Sequence, residues 1–455
     1  MTRLAIHLND ADITVSDGER VIYREPGFAY LGHDSLTTGS KAFAHSRMDP
    51  RRIQNRFWLD LNTTPFADSR FSHLSAADLA SRQLEQLWEP WQEGISELVV
   101  AVPAYMSAES LGLFLGIAGE LELPVVAMVD AAVASTRREY KGAVPVHVDL
   151  GMHRAMLTRI AQPGMAQTDR TELIDSVGVQ VLYDAWLKTV ADAFVQQSRF
   201  DPLHTAETEQ MLLNRLAGWL REASSRDSVA MEIESSGHRY TAELESLALI
   251  GAAAPFYQQI ASVLRSLYRA EDLPAIQVTE RVARMPGLTE MLKARVGGEV
   301  FVLESGATAR GAFARCRGVS RAAGSVRLLR QLPWDQSAID TGAHAIEKSN
   351  AGEPTHLLHG HLAYSIGDSP LILGSEQSGD DRYVVLPADM PGVSRRHCSL
   401  VLKNGQCVLE DHSRYGTFLN GHRIDGSSIL QVGDALRVGS PGFEFQLITT
   451  DTAHG

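Results

Sequence analysis

Two sequence rhythms share this chain, and a single layered core cannot carry both. Beyond about residue 356, short apolar runs recur roughly every 8–12 residues. Turn-forming residues separate them at Gly367-Asp368, Ser378-Gly379-Asp380, Lys403-Asn404-Gly405, Asn420-Gly421 and Asp425-Gly426. That cadence leaves no room for a helix and specifies an all-β sandwich of roughly 95 residues. Before about residue 315, short apolar runs alternate with stretches of helical period, the pattern of an α/β body with mixed sheets.

Within that body, residues 4–15 and 20–31 read as paired strands around the turn Ser16-Asp17-Gly18-Glu19. Residues 98–103 read as a buried strand and residues 107–121 as a helix opened by a Ser cap. Residues 125–129 and 130–138 repeat strand and helix, and residues 144–150 and 154–160 form a hairpin around Gly151-Met152-His153. Long amphipathic helices are expected at 182–194 and 209–222, and a small hairpin at 229–233 with 238–241. From 316 to 355 the sequence turns Arg-rich and then polar, ending in Asn350-Ala-Gly-Glu-Pro354, the composition of a linker. Residues 326–334 inside it are apolar enough to dock on a neighbour.

The chain has 455 residues, enough for about three units at ~150 residues each. An apolar fraction of 44% with 21% charged residues excludes wholesale disorder. Lys+Arg 42 against Asp+Glu 55 leaves a net charge of -13, which repels a nucleic-acid backbone, so no nucleic-acid partner is expected. Cys316, Cys398 and Cys407 form neither a disulfide framework nor a CxxC metal pair, and acids inside the first apolar segment argue against a signal peptide. The most apolar stretches, 97–106 and 247–257, fall short of the ~20 residues that span a bilayer, so no membrane insertion is expected. A reducing, cytoplasmic setting is the expectation. His356, His359 and His361 lack a thiolate or carboxylate at ligand spacing; they read as strand-borne or solvated rings, with a metal site as the alternative.

Several segments of the front region follow one another in a known order. They are Glu97-Leu-Val-Val-Ala-Val-Pro-Ala-Tyr-Met-Ser-Ala-Glu109, Ala127-Met-Val-Asp130-Ala-Ala-Val-Ala134, His147-Val-Asp149-Leu-Gly151, Arg284-Met-Pro286-Gly-Leu-Thr-Glu-Met-Leu292 and Ser305-Gly-Ala-Thr-Ala-Arg-Gly-Ala312. On these segments residues 1–315 resemble the nucleotide-binding domain of the actin and DnaK-type heat-shock chaperone (ASKHA) superfamily. The resemblance implies a two-lobed α/β actin/chaperone-ATPase-like domain whose ATP phosphates lie between two glycine hairpins, each with an Asp that organises hydrated Mg²⁺. Here the first hairpin reads His7-Leu-Asn9-Asp10. The second keeps Asp149 and Gly151 but continues as Met152-His153-Arg154, and the adenosine-loop glycines read Thr279-Glu280. Asp130 keeps a carboxylate at the connecting helix, while the positions where chaperones place a Glu and a Lys to grip adenosine read Arg221 and Ser224. Losing several such contacts, at about 1–3 kcal/mol each, moves a micromolar nucleotide to millimolar or weaker. The expectation is a pseudo-ATPase with no catalytic residue and no cofactor. The alternative is a divergent site for ATP and Mg²⁺ rebuilt on Asp10, Asp12 or Glu280.

The back region carries Gly392-Val-Ser394-Arg395-Arg396-His397 and Asp411-His-Ser413-Arg414-Tyr415-Gly416-Thr417-Phe-Leu-Asn420-Gly421. On these motifs residues 356–450 resemble a forkhead-associated (FHA) domain, a β-sandwich that reads phosphothreonine with the loops at one end. The resemblance implies that Ser394 and Arg395 donate to a phosphate and that His397 braces the loops. Two positions depart from the family: the Arg that clamps the phosphate reads Ser375 after Gly374, and the Asn that grips the peptide backbone reads Tyr415. Ser375, Ser394, Arg395, Arg414, Tyr415 and Thr417 are therefore the candidate partner-binding residues, with phosphate dependence left open.

The sequence thus reads as an ASKHA domain over 1–315, a linker over 316–355 and an FHA sandwich over 356–450. The expected role is a non-catalytic adaptor that binds protein partners in a regulatory complex. Its rivals are an active ATPase recruited to phosphorylated partners through the FHA module, and an actin-like filament former.

Overall fold

A computed structural model of the chain describes residues 2–33, 35–319, 325–335, 354–359, 362–377, 382–387, 392–403, 406–419, 422–424, 426–432, 434–439 and 443–448. Two compact units emerge: Met1–Arg137 with Pro145–Ala270 and Ile276–Asp335, and Arg138–Val144 with Glu271–Ala275 and Gln336–Gly455.

The first unit contains two six-stranded sheets that share one strand order over five strands and differ in where the sixth attaches. In the first, Thr2–His7, Ile13–Ser16 and Val21–Glu25 run antiparallel, and Ile95–Val102 followed by Val125–Asp130 adds in parallel on the other side of Thr2–His7. In the second, Val144–Leu150, Ala155–Ala161 and Ala166–Ile174 run antiparallel, and Pro274–Val278 followed by Glu299–Val302 lies beyond Val144–Leu150. Both sheets end on strands from inside the 316–355 segment: Arg327–Leu329 beside Val125–Asp130, and Gln331–Leu332 beside Ala166–Ile174.

Residues 4–15, expected as one strand, are two. The chain reverses at Asn9, where the Asp12 amide donates to the Asn9 carbonyl at 2.9 Å, and Ile13–Ser16 returns along Thr2–His7. This reversal places Asn9, Asp10 and Asp12 in a loop at the end of the sheet. The hairpin at 151–153 does the same for the second sheet, with Leu150 opposite Ala155.

Helix packing follows from spacing. Val179–Ser198 buries Leu182, Trp186, Val190 and Phe194, each four residues apart, against Leu212, Leu216, Leu249 and Tyr257. Each such side chain contributes about 1.5–3 kcal/mol on burial. Ser107 caps Ala108–Glu120 by accepting from the Ser110 amide at 3.1 Å, as the sequence indicates. The apolar stretch at 247–257 proves to be part of a longer helix, Ser246–Ser266, which is long and apolar enough to cross a membrane by length and composition. Its Leu249, Ala253, Tyr257, Ile260, Ala261 and Leu264 are buried in the core of the first unit.

In the second unit two sheets form a sandwich. One orders Leu362–Ser365, His356–His359, Phe443–Ile448, Ala435–Val438, Thr417–Leu419 and His422–Arg423. The other orders Arg382–Val385, Leu371–Gly374, Cys398–Lys403, Gln406–Asp411 and Ser427–Ile429. Leu371, Leu373, Leu400, Leu409, Leu436, Phe445 and Leu447 fill the space between them. His356 and His359 are strand-borne, with the His359 ring nitrogen Nδ1 2.7 Å from the Glu444 carbonyl oxygen. His361, the polar segment 336–353, and the turns at 378–380, 404–405, 420–421 and 425 lie outside the described residues.

Candidate functional site

The loops around Ser394 and Arg414 converge at one end of the sandwich, and a buried imidazole holds them together. His397 is 0% exposed; its Nδ1 accepts from the Ser394 amide at 3.1 Å, which leaves Nε2 to donate to the Gly416 carbonyl at 3.3 Å. Burial lowers its pKa, so it stays neutral and keeps both bonds. Asp411 braces the second loop, accepting from the Ser413 amide at 3.0 Å and the Thr417 hydroxyl at 2.7 Å. Burial opposes its ionisation, but these donors outweigh burial and hold its carboxyl below the usual range.

Gly374 has a steric reason to be glycine. A Cβ there would lie 2.0 Å from the Arg395 carbonyl oxygen, because the two loops cross closely where the Ser375 amide donates to the Ser394 carbonyl at 3.2 Å. Ser375 thus sits directly beside Ser394. The Ser394 hydroxyl oxygen accepts from the Arg414 amide at 3.1 Å, which leaves its own O–H as a donor. Arg395, Arg396 and Arg414 are all exposed. Arg395 pairs with Glu376 at 3.1 Å, with side chains 86% and 61% exposed, a contact that water and salt weaken. Arg396 and Arg414 make no ion pair among the described residues. Tyr415 is 45% exposed beside them.

One sequence expectation is corrected here. Thr417 is fully buried and its hydroxyl is spent on Asp411, so it shapes the loop from within and presents nothing to a partner. Asp411 is the residue the sequence reading passed over as a contributor; the hydroxyl and amide groups clustered two to six positions after it were the available signal.

The other candidate residues meet in the first unit. Asn9, 0% exposed, donates from Nδ2 to Asp149 Oδ2 at 2.8 Å and to the Leu150 carbonyl at 3.2 Å. Asp10 Oδ1 accepts from the Met152 amide at 2.8 Å, and a Cβ on Gly151 would come within 2.7 Å of that oxygen. Asp149 Oδ1 accepts from the Thr279 hydroxyl at 2.7 Å and from Arg281 Nη1 at 3.1 Å. His7 Nε2 lies 3.8 Å from Asp149 Oδ2. Glu280 pairs with Arg24 at 3.3 Å and with Arg284. Met152 is buried with Phe28 and Ala42 in a small apolar cluster. Asp130 spends one oxygen elsewhere: it caps Ala131–Ser135, accepting from the Ala132 and Val133 amides at 2.9 and 3.1 Å.

Arg281 was not anticipated from sequence. Besides Asp149 it donates to the Leu150 carbonyl at 2.8 Å and lies 3.7 Å from Asp12, so a guanidinium of the chain itself neutralises the two carboxylates. Burial sets the titration of the neighbours. It pushes His7 and His147 down to about 4 and Asp10 up to about 6, disfavouring the charged form in each case.

No curated protein matches the chain. The FHA domain family model matches residues 368–439, the span that contains the Ser394 and Arg414 loops. Residues 368–439 are an FHA domain, a module of protein–protein interaction that typically depends on phosphothreonine.

Proposed function

We propose that the chain is a non-catalytic cytoplasmic adaptor: an ASKHA-like body, closed to nucleotide by its own side chains, carries an FHA module that docks a protein partner in a regulatory complex. The docking reading rests on one observation. Arg396 and Arg414 are exposed and make no ion pair among the described residues, the Ser394 hydroxyl keeps its O–H as a donor, and together they suit an anionic segment of a partner. Ser375 stands where the resemblance puts the phosphate-clamping Arg, so the module reads phosphothreonine weakly and binds chiefly through other contacts. For the body, support comes from two sheets that share an order over five strands and from Arg281 seated on Asp149, where a hydrated cation would otherwise be needed.

Fluorescence anisotropy of a phosphothreonine peptide library against the full chain tests the first part. One charge-assisted donor is worth about 1.5–3 kcal/mol, so Ser375→Arg with Tyr415→Asn should tighten phosphopeptide binding roughly 10- to 150-fold. Low-micromolar, phosphate-dependent binding by the unaltered chain overturns the weak-reader assignment. For the body, millimolar ATP or ADP with Mg²⁺ should leave the melting temperature unchanged, whereas a ligand at 100 times its Kd adds about 2.7 kcal/mol. A clear upward shift favours the active ATPase instead.

A further inference from the structure

The first unit holds a cavity of about 560 Å³ that borders the Asp149 network at Asp12 and extends away from it. Its size falls within the range of small-molecule sites, roughly 300–1,000 Å³. Met152, the side chain standing where the resemblance calls for glycine, packs with Phe28 and Ala42, and Phe43 and Ile53 lie against them. Phe28 and Phe43 meet edge to face at 5.2 Å. Tyr183 and Leu213 also line the cavity. This apolar surface is the opposite of a phosphate cradle, which needs exposed backbone N–H groups.

The charge at its rim is already balanced. Arg24 is held by Asp12 at 3.0 Å and Glu280 at 3.3 Å, and Arg47 by Asp184 and by Glu209 at 3.3 Å. Arg281 also lies by Asp12 and Arg284 pairs with Glu280, so four guanidinium groups meet four carboxylates, and a polyanion would have to break these pairs to enter. What remains unspent is neutral. Asn55 donates one amide hydrogen to Gln180 Oε1 at 3.3 Å and keeps a second, Asn214 accepts from Gln210 at 3.0 Å and keeps its amide hydrogens, and Ser40 adds a hydroxyl to the lining.

We propose that this cavity is a binding site for an uncharged, flat heteroaromatic molecule, seated on the aromatic surface and hydrogen-bonded at its edge by the amide side chains. Aromatic walls favour ring-on-ring contact, and neutral amides recognise ring nitrogens and carbonyls without calling for charge. The site goes beyond the adaptor reading and is independent of it.

Ligand-observed saturation-transfer NMR on the full chain tests the site with indole and quinazolin-4-one as neutral rings, naphthalene-2-sulfonate as an anionic ring, and ATP. Ala217 and Asn214 line the cavity and are exposed on the helix Ala206–Ala223, so Ala217→Trp and Asn214→Trp fill the space at little cost to the core. The expected result is a signal from a neutral ring that both substitutions remove and that millimolar ATP does not displace. Tyr183→Leu should weaken that ring about 2- to 10-fold, the worth of one aromatic contact. Three results overturn the proposal: no neutral ring giving a signal, signals that survive in both tryptophan variants, or naphthalene-2-sulfonate binding more tightly than the neutral rings. If Ala217→Trp alone lowers the melting temperature, Asn214→Trp decides.

Discussion

The cleft around Asp149 and the loop end around Ser394 are built from similar parts, a carboxylate, arginines, a histidine and hydroxyl groups, yet they spend them in opposite directions. Around Asp149 the donors turn inward: Asn9, Thr279 and Arg281 all bond the same carboxylate, and Asp10 is tied to the Met152 amide. Around Ser394 the inward bonds come from His397 and Asp411, while Arg396 and Arg414 face solvent. A side chain that completes an internal network stabilises the fold and has little left for a ligand. One left over at a braced surface costs the fold little and remains available for recognition. Residue type alone therefore does not identify a binding site; what matters is whether its hydrogen-bonding capacity is already used.

The largest effect that separates the two regions should come from Arg281→Leu. Removing the cation from a nearly buried carboxylate costs about 3–5 kcal/mol. Urea denaturation of the full chain should show that loss in the first unit's transition. Pairing the change with Asp149→Asn should recover part of it, because the two sites are coupled. If Arg281→Leu costs under 1 kcal/mol, the cleft is solvated and the inward-turned description fails.

The sandwich was more legible in sequence than the cleft. Its turn cadence and the S-R-x-H and S-x-x-G-T spacings are local, and the close crossing at Gly374 explains why a glycine precedes Ser375. The cleft depends on contacts 130 or more positions apart, such as Asn9 with Asp149 and Thr279 with Asp149, which no window of sequence contains. Composition at the loops showed what glycine had been replaced by, but not that Arg281 would supply the counter-charge. Strands of two or three residues, such as Arg327–Leu329 and Gln331–Leu332, are too short to show a period, so residues 326–334 read as an apolar docking stretch inside a linker and not as the strands that close two sheets. The early reversal at Asn9 was hidden because the strands on either side of it are both apolar.

The middle-sized effect is a pH dependence set by the buried groups of the cleft. His7 and His147 are held near 4 when folded against an ordinary 6.5, so below pH 6.5 the unfolded chain takes up two protons that the folded chain refuses. Asp10 works the other way: held at about 6, it keeps a proton between pH 6 and 4 that the unfolded chain has released. From these three groups together, one net proton is taken up on unfolding across that window. Stability should fall as pH drops from 6 to 4, by about 1.4 kcal/mol per pH unit. Chemical denaturation at pH 6.0, 5.0 and 4.5 measures the slope; His147→Asn should flatten it and Asp10→Asn should steepen it.

The smallest effect on stability, and the sharpest test of the contrast, is Arg414→Ala. The Arg414 backbone amide, not its guanidinium, makes the bond to the Ser394 hydroxyl, so the substitution leaves the brace in place. The side chain is exposed and makes no ion pair among the described residues, so the unfolding free energy should move by no more than about 0.5 kcal/mol. Partner capture should nevertheless weaken, since a charged donor to an anionic segment contributes more to binding than an exposed side chain does to folding. Both quantities can be read on one preparation, by denaturation and by quantitative pull-down of the native complex against the unaltered chain. Unchanged capture with unchanged stability means that the guanidinium is idle and that the docking surface lies elsewhere on the sandwich. A large loss of stability means instead that the loop end, like the cleft, uses its arginine for the fold.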